Sequence, residues 1–226
     1  MTAIHATHGA LSNGNGENSK RRSRGRPRLE EVAEIENDLV EVALQEFLKH
    51  GYGGTSMAMI VKAAGISKTT LYSRFSSKEQ LFIAMMNKMV EGNLSAQIRA
   101  ATGPTRPLAD MLSEFTRRSL EISLDPVHYG VIRLIYGESH RFPELREAGE
   151  RLGNAMVSGI YSIIMDYGER EGITFRDPMV PARMLMMTMR GCYLGVLLSQ
   201  NTTVSDELRD EIDRYVRLLT ASINEW

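Results

Sequence analysis

The sequence has little of what directs a chain to an oxidising compartment or into a membrane. It holds one cysteine, Cys192, so no disulfide can form within the chain, as is usual in a reducing compartment. No apolar run follows a basic start, so we recognise no secretory signal and expect a cytoplasmic protein. The most apolar stretch, 179–198, contains Pro181, Arg183 and Arg190. Because arginine is costly in lipid, this stretch predicts a buried helix and no membrane partner.

The sequence also lacks the patterns of a catalytic or metal site. Its five histidines do not cluster, and neither a Gly-rich phosphate loop nor a nucleophile motif is present. We therefore expect no enzyme, no metal and no cofactor. No segment alternates apolar and polar residues for long, as a strand would, so the chain is predicted to be all-α with about nine helices.

The net charge of −1 conceals a basic segment near the start. Residues 20–28, KRRSRGRPR, hold six cations and no acid, whereas the rest of the chain from residue 29 holds 21 basic and 27 acidic residues. The core of an AT-hook, an extended segment that lies in a narrow minor groove, is present at 24–27. We predict a disordered tail and basic arm over 1–28, whose arginines Arg24, Arg26 and Arg28 contact DNA. The alternative is a solubilising tail.

The stretch from residue 55 to 82 predicts two short helices joined by a tight turn. Apolar residues at helical spacing from 57 to 64 form the first helix, which Gly65 ends in a left-handed conformation. Ser67 can cap the second helix, in which Leu71 and Phe75 share an inward face. This is typical of a helix-turn-helix, whose second helix lies in the major groove. The residues left on the outer face are polar: Lys68, Thr69, Thr70, Tyr72 and Arg74.

This stretch resembles the DNA-binding domain of the tetracycline-repressor-like (TetR) transcriptional regulators. Val61 departs from the small residue usual there. The resemblance implies a helix-turn-helix DNA-binding domain over 29–80 and a helical ligand-binding and dimerisation domain over 81–226. A second, weaker match covers 133–145. The residues that carry the main resemblance are Thr55, Ile60, Ala64-Gly65-Ile66-Ser67, Thr70-Leu71-Tyr72, Phe75, Ser77-Lys78-Glu79 and Leu81-Phe82.

Candidate DNA contacts fall into two groups. Thr55 is expected to cap the first helix of the motif and touch a phosphate, while Lys68, Thr69 and Thr70 lie where base edges are read. The resemblance implies that Tyr72 and Lys78 grip phosphates, with Arg74 as a third. The alternative for each is a solvated polar face. The full set outside the arm is Thr55, Ser67, Lys68, Thr69, Thr70, Tyr72, Arg74 and Lys78.

The C-terminal part predicts further helices near 108–123, 127–139, 144–170, 179–199 and 206–224. The chain holds 14 methionines, whose thioethers repack around varied shapes, so an adaptable apolar pocket is one interpretation and ordinary core the other. His128, Arg133 and Arg190 are candidate polar anchors, or else surface residues. The candidate ligand-binding residues are Met85, Met89, Met111, Phe115, Tyr136, Met156, Tyr161, Met189 and Tyr193.

The resemblance implies a homodimer through the last two helices and a small, largely apolar effector. The dimer would bind double-stranded DNA at a near-palindromic operator and act as a repressor. The effector would shift the fourth helix and so change the spacing of the two DNA-binding domains. Two alternatives stay open, an activator or dual regulator of the same fold and an effector-independent DNA-architecture protein. Cys192 is expected to be a small buried filler, or else a redox switch at the dimer axis.

Overall fold

The computed structural model describes residues 29–101, 106–199 and 203–226, with side chains for 33–89, 106–199 and 203–226. Over this part of the chain the protein is all-helical, which confirms the predicted fold class. A short 3₁₀ turn, Ile223–Glu225, follows the last helix. The helices are α1 Leu29–Gly54, α2 Met57–Ala64, α3 Lys68–Tyr72, α4 Lys78–Ala101, α5 Leu108–Ser123, α6 Pro126–Glu138, α7 Pro143–Glu171, α8 Met179–Ser199 and α9 Asp206–Ala221.

The N-terminal core joins α1, α2, α3 and the start of α4. Phe47, Tyr52 and Phe82 form an aromatic cluster with ring centroids 5.3–5.5 Å apart, and Ile60 and Leu71 bring in α2 and α3. Each such fully buried side chain contributes roughly 1.5–3 kcal/mol through removal of apolar surface from water. The short helices therefore depend on this packing, because isolated helices of this length are unstable in water.

Glycines end the helices where the sequence predicts. Gly51 has φ 74° and ψ 167°, which interrupts α1 and turns its last three residues away from the helix axis. Gly65 and Gly172 adopt the left-handed conformation after α2 and α7. Only glycine adopts these positive φ values without strain, so the breaks are encoded locally.

The C-terminal core lies between α5, α7, α8 and α9. Phe115 on α5, Ile163 on α7, Leu185 on α8 and Val216 on α9 are all buried in it. None of the helices described is both long enough and apolar enough to span a bilayer.

The two cores meet on α6 and α7. Val131, Ile135, Leu145 and Ala148 belong to the N-terminal core although they lie far along the chain. Helix α4 runs unbroken past the domain boundary predicted near residue 80, and its start packs into the N-terminal core. Helices α6 and α7 therefore pack directly against the core that holds the helix-turn-helix.

Candidate nucleic-acid interface and effector cavity

Helix α3 is fixed by one cap and one buried residue. The Ser67 hydroxyl accepts a hydrogen bond from the Thr70 N–H at 3.0 Å, and Leu71 is fully buried beneath the helix. The Thr70 hydroxyl lies 2.8 Å from the Ser67 hydroxyl. The cap fixes the start of α3, and Leu71 anchors the helix to the N-terminal core, so α3 has the defined position that groove insertion needs.

The outer face of α3 presents three side chains to solvent. Lys68 and Thr69 are exposed, and Tyr72 is 50% exposed. Thr70, predicted as a base reader, is half-buried with its hydroxyl turned to Ser67. Of the predicted DNA contacts on α3, Lys68, Thr69 and Tyr72 therefore have exposed side chains, whereas the Ser67 and Thr70 hydroxyls share a local hydrogen bond within the helix turn.

The expectation for Thr55 as a helix cap is wrong. Ser56 is the N-cap of α2 and accepts from the Met59 N–H at 3.3 Å. Thr55 is buried, and its hydroxyl donates to the carbonyls of Gly51 at 2.7 Å and Glu46 at 3.0 Å. The hydroxyl is thus committed to closing the break in α1, because the carbonyls freed at Gly51 need donors.

Two cations expected on the DNA face point elsewhere. Arg74 pairs with Glu36 of α1 at 3.1 Å and is 13% exposed. The Lys78 ammonium donates to the carbonyls of Tyr52 at 2.7 Å and Thr55 at 3.0 Å. Both residues tie α3 and α4 to α1 in this structure. Burial lowers the pKa of Lys78, which the carboxylates of α6 and α7 partly oppose.

The predicted arginine contacts of the basic arm, Arg24, Arg26 and Arg28, lie outside the described residues.

A joint that the sequence did not predict connects α6 and α7 to the break in α1. The Glu138 carboxylate accepts from the Tyr52 N–H and the Gly53 N–H, both at 2.9 Å. The Tyr52 hydroxyl donates to Glu144 at 2.7 Å, and the Phe142 ring packs edge-on against Tyr52 at 5.0 Å. Burial and the neighbouring Glu144 raise the pKa of Tyr52. The 133–145 segment, which carries the weaker sequence resemblance, forms this joint.

A cavity of about 290 Å³ lies between α6, α7 and α8, next to that joint. Its inner wall is apolar, with Met156, Met189 and stacked Tyr136 and Tyr193 rings 6.3 Å apart. Arg146, Glu150 and Arg190 stand at its mouth. Ligand pockets are typically roughly 300–1,000 Å³, so this one suits a small molecule.

Four of the nine predicted ligand residues line this cavity: Tyr136, Met156, Met189 and Tyr193. The other five do not. Met85 and Met89 pack with the N-terminal core, while Met111, Phe115 and Tyr161 pack with the C-terminal core. Of the predicted polar anchors, only Arg190 lines it. The sequence did not predict the cavity residues of α5 and α6, such as Leu120 and Ile132, or those of α7 around Gly149 and Gly153. A glycine inside a predicted helix often has a packing reason, so Gly149 and Gly153 were the available signal.

Helices α8 and α9 expose apolar side chains on one side of the molecule. A groove between them contains Cys192, Thr188 and Gly195, and large apolar residues stand beside it. Cys192 is half-buried, and burial together with Glu211 raises the pKa of its thiol. The large exposed apolar residues on these helices, called here the α8–α9 face, are Val180, Met184, Met187, Leu194, Leu198, Tyr215 and Leu218.

Comparisons with known proteins match this arrangement. Residues 39–85 match the sequence model of the family described as "Bacterial regulatory proteins, tetR family". The regulator RutR from Escherichia coli strain K12 is 37% identical over 87 residues, which cover 38% of this chain and 40% of RutR. The match thus spans less than half of that relative.

Similarity to solved structures extends over both domains. Salmonella enterica GusR superposes with a TM-score of 0.65 at 24% identity, covering 84% of this chain and 96% of GusR. The flavonoid-responsive regulator FrrA superposes with a TM-score of 0.63 at 24% identity, covering 84% and 97%. At these identities the likeness establishes the fold.

Together, the capped α2–α3 pair and the matched segment define a helix-turn-helix DNA-binding domain. The matched segment, residues 39–85, is the DNA-binding domain of the TetR family, and the comparisons support a TetR-family transcriptional regulator. The matched relatives and structures are regulators and not enzymes, which agrees with the sequence-based expectation.

Proposed function

We propose that this protein is a homodimeric transcriptional repressor that binds a near-palindromic operator and is released from it by a small, largely apolar effector. One observation carries the proposal: α6 contributes both to the cavity and to the DNA-binding domain. Its residues Ile135 and Tyr136 line the cavity, and Glu138, less than one turn later, binds the backbone at the break in α1.

The route from effector to DNA follows from these contacts. A ligand that enters the cavity displaces α6 or α7, and Glu138 and Glu144 carry that displacement to Tyr52. Lys78 of α4 donates to the Tyr52 carbonyl, so the start of α4 moves with it. An effector releases DNA only if it binds the DNA-incompetent arrangement more tightly, and coupling of about 1–3 kcal/mol is typical.

The α8–α9 face supports a dimer. Leu198 is 75% exposed, Met187 70% and Leu218 68%, and large contiguous apolar surfaces mark association sites in soluble proteins. A single α3 covers only a short half-site, so two copies related by a two-fold axis would read two half-sites about one helical turn apart.

Sedimentation of two charge variants tests the dimer. Leu218→Glu places a charge in the α8–α9 face, and we expect it to sediment as a monomer at concentrations where wild type is dimeric. Ile173→Glu is the matched control, since Ile173 is also an exposed apolar residue but follows α7 outside that face. A Leu218→Glu protein that stays dimeric would show that association uses another surface.

Release from DNA tests the regulator. Once an operator is known, labelled operator and wild-type protein are titrated with candidate effectors, and bound DNA is followed by anisotropy. The proposal expects at least one compound to dissociate the complex and to bind the free protein more tightly than the DNA complex. Effector control would be contradicted if every compound found to bind the cavity left operator affinity unchanged.

A further inference from the structure

The mouth of the cavity holds more positive than negative charge. Arg146 of α7 and Arg190 of α8 line it, and Glu150 is the single acidic side chain among the described residues that do so. Neither arginine has an ion-pair partner within 4.0 Å among the described residues, Glu150 included. The cavity thus presents one net positive charge to whatever enters.

Arg190 is held over the cavity by the shape of α7. Its guanidinium lies against Gly153, and a Cβ at that position would overlap the Arg190 Nη2. Gly149, one turn earlier, approaches the Ile135 side chain so closely that its Cβ would lie 3.0 Å away. The two glycines therefore leave room for the guanidinium and for the cavity wall at the same helix face.

Tyr193 lines the cavity and carries a hydroxyl at its buried end. The residue is 6% exposed, and its hydroxyl oxygen is buried with no hydrogen-bond partner among the described residues. Burial raises the pKa of Tyr193, with Tyr129 and Tyr136 as smaller contributors, so the phenol stays protonated at neutral pH. A buried hydroxyl without an acceptor is destabilising, and a ligand acceptor that reached it would relieve that cost.

We propose that the effector is a small apolar monocarboxylic acid, whose carboxylate pairs with Arg190 and Arg146 and accepts from the Tyr193 hydroxyl. This inference rests on the proposed function, because it takes the cavity as the effector site. A carboxylate matches the fork of a guanidinium. One net positive charge suits a monoanion better than a phosphate dianion, and Glu150 opposes a second negative charge. The apolar body packs among Leu152, Met156 and Met189.

The test compares acids with their neutral amides. The full-length protein is titrated calorimetrically with octanoate, decanoate, cinnamate and 2-naphthoate, each beside the corresponding amide. We expect at least one acid to bind at least about tenfold more tightly than its amide, the size of one charge-assisted hydrogen bond. Equal affinities for every pair, or no binding by any acid, would overturn the proposal.

Variants assign the effect to residues. Arg190→Gln should reduce the acid-to-amide ratio to near one, and Arg190→Lys should restore part of it. Arg183→Gln, an exposed arginine on the same helix outside the cavity, should leave the ratio unchanged. Tyr193→Phe should weaken acid and amide alike, since both carry a carbonyl-type acceptor. A ratio unaffected by Arg190→Gln in a folded variant would refute the assignment.

The same titrations separate this inference from the proposed function. Acid-selective binding that leaves operator affinity unchanged would support the carboxylate site and refute effector release. Release of DNA by neutral compounds, with no preference for acids, would support the regulator and refute the carboxylate site.

Discussion

Glu138→Ala should destabilise the protein through the joint between α6 and α1. The carboxylate accepts two backbone hydrogen bonds at 2.9 Å, from Tyr52 and Gly53. The Gly53 N–H is exposed and can turn to water, whereas the Tyr52 N–H lies in a partly buried position beside the aromatic cluster. Hydrogen bonds to charged groups contribute about 1.5–3 kcal/mol each, so counting the Tyr52 bond alone predicts a loss of about 1.5–3 kcal/mol.

Urea unfolding of the chain at one fixed protein concentration measures this loss, because the stability of the proposed dimer would depend on concentration. Glu138→Gln keeps one acceptor oxygen and should lose about half as much. Glu147→Ala is the matched control: its ion pair with Arg151 spans 3.9 Å on the surface of α7, and such pairs contribute at most about 0.5 kcal/mol. A Glu138→Ala protein within about 0.5 kcal/mol of wild type, the usual range of a surface substitution, would refute the reasoning.

Three further predictions concern single residues. Ser56→Ala removes the N-cap of α2 and should cost about 0.5–2 kcal/mol in urea unfolding; an unchanged midpoint would contradict that role. Lys68→Ala should weaken operator binding, measured by anisotropy. If Lys68 binds the DNA backbone, the salt dependence of binding should fall by about one phosphate contact, and if it reads a base, the preference for that base should relax. Arg183→Ala is the control and should change neither. Asp125 caps α6, and its hydrogen bond to His128 lowers its pKa. Its charge therefore stabilises the fold above the unfolded pKa of about 3.9, and the contribution is lost as pH falls through the lower folded value. The cost of Asp125→Ala should accordingly shrink in acid, and a cost independent of pH would contradict it.

Local signals in the sequence were enough for the helices. The predicted helices 108–123 and 179–199 match α5 and α8, and Gly65 and Gly172 end α2 and α7 as expected of left-handed caps. These features depend on residues within one turn of each other, so the chain encodes them without tertiary contacts.

The direction of long polar side chains was not predictable from the same signals. Arg74 and Lys78 were placed toward DNA, but their partners are Glu36, 38 residues away, and carbonyls of the α1–α2 connection. Those partners are set by the packing of α1 against α3 and α4, which periodicity does not specify.

The cavity shows a related limit. Periodicity identifies which side of a helix faces inward, but the inward side meets either another helix or an empty volume. All four of Met111, Phe115, Met189 and Tyr193 belong to the C-terminal core, but only Met189 and Tyr193 also line the cavity beside Gly149 and Gly153. Sequence alone does not distinguish the two cases, since both need apolar residues at the same spacing.

Selection from random duplex DNA tests the central claim most directly. The purified full-length protein is used to enrich sequences from a randomised library, and the enriched pool is read after several rounds. The account predicts a near-palindromic pair of half-sites, bound at least ~10³-fold more tightly than random DNA, as specific regulators typically are. A Lys68→Ala, Thr69→Ala protein should fail to enrich that sequence. A pool without a common motif, or binding that is equal for every sequence and steeply salt-dependent, would contradict a sequence-specific dimeric regulator.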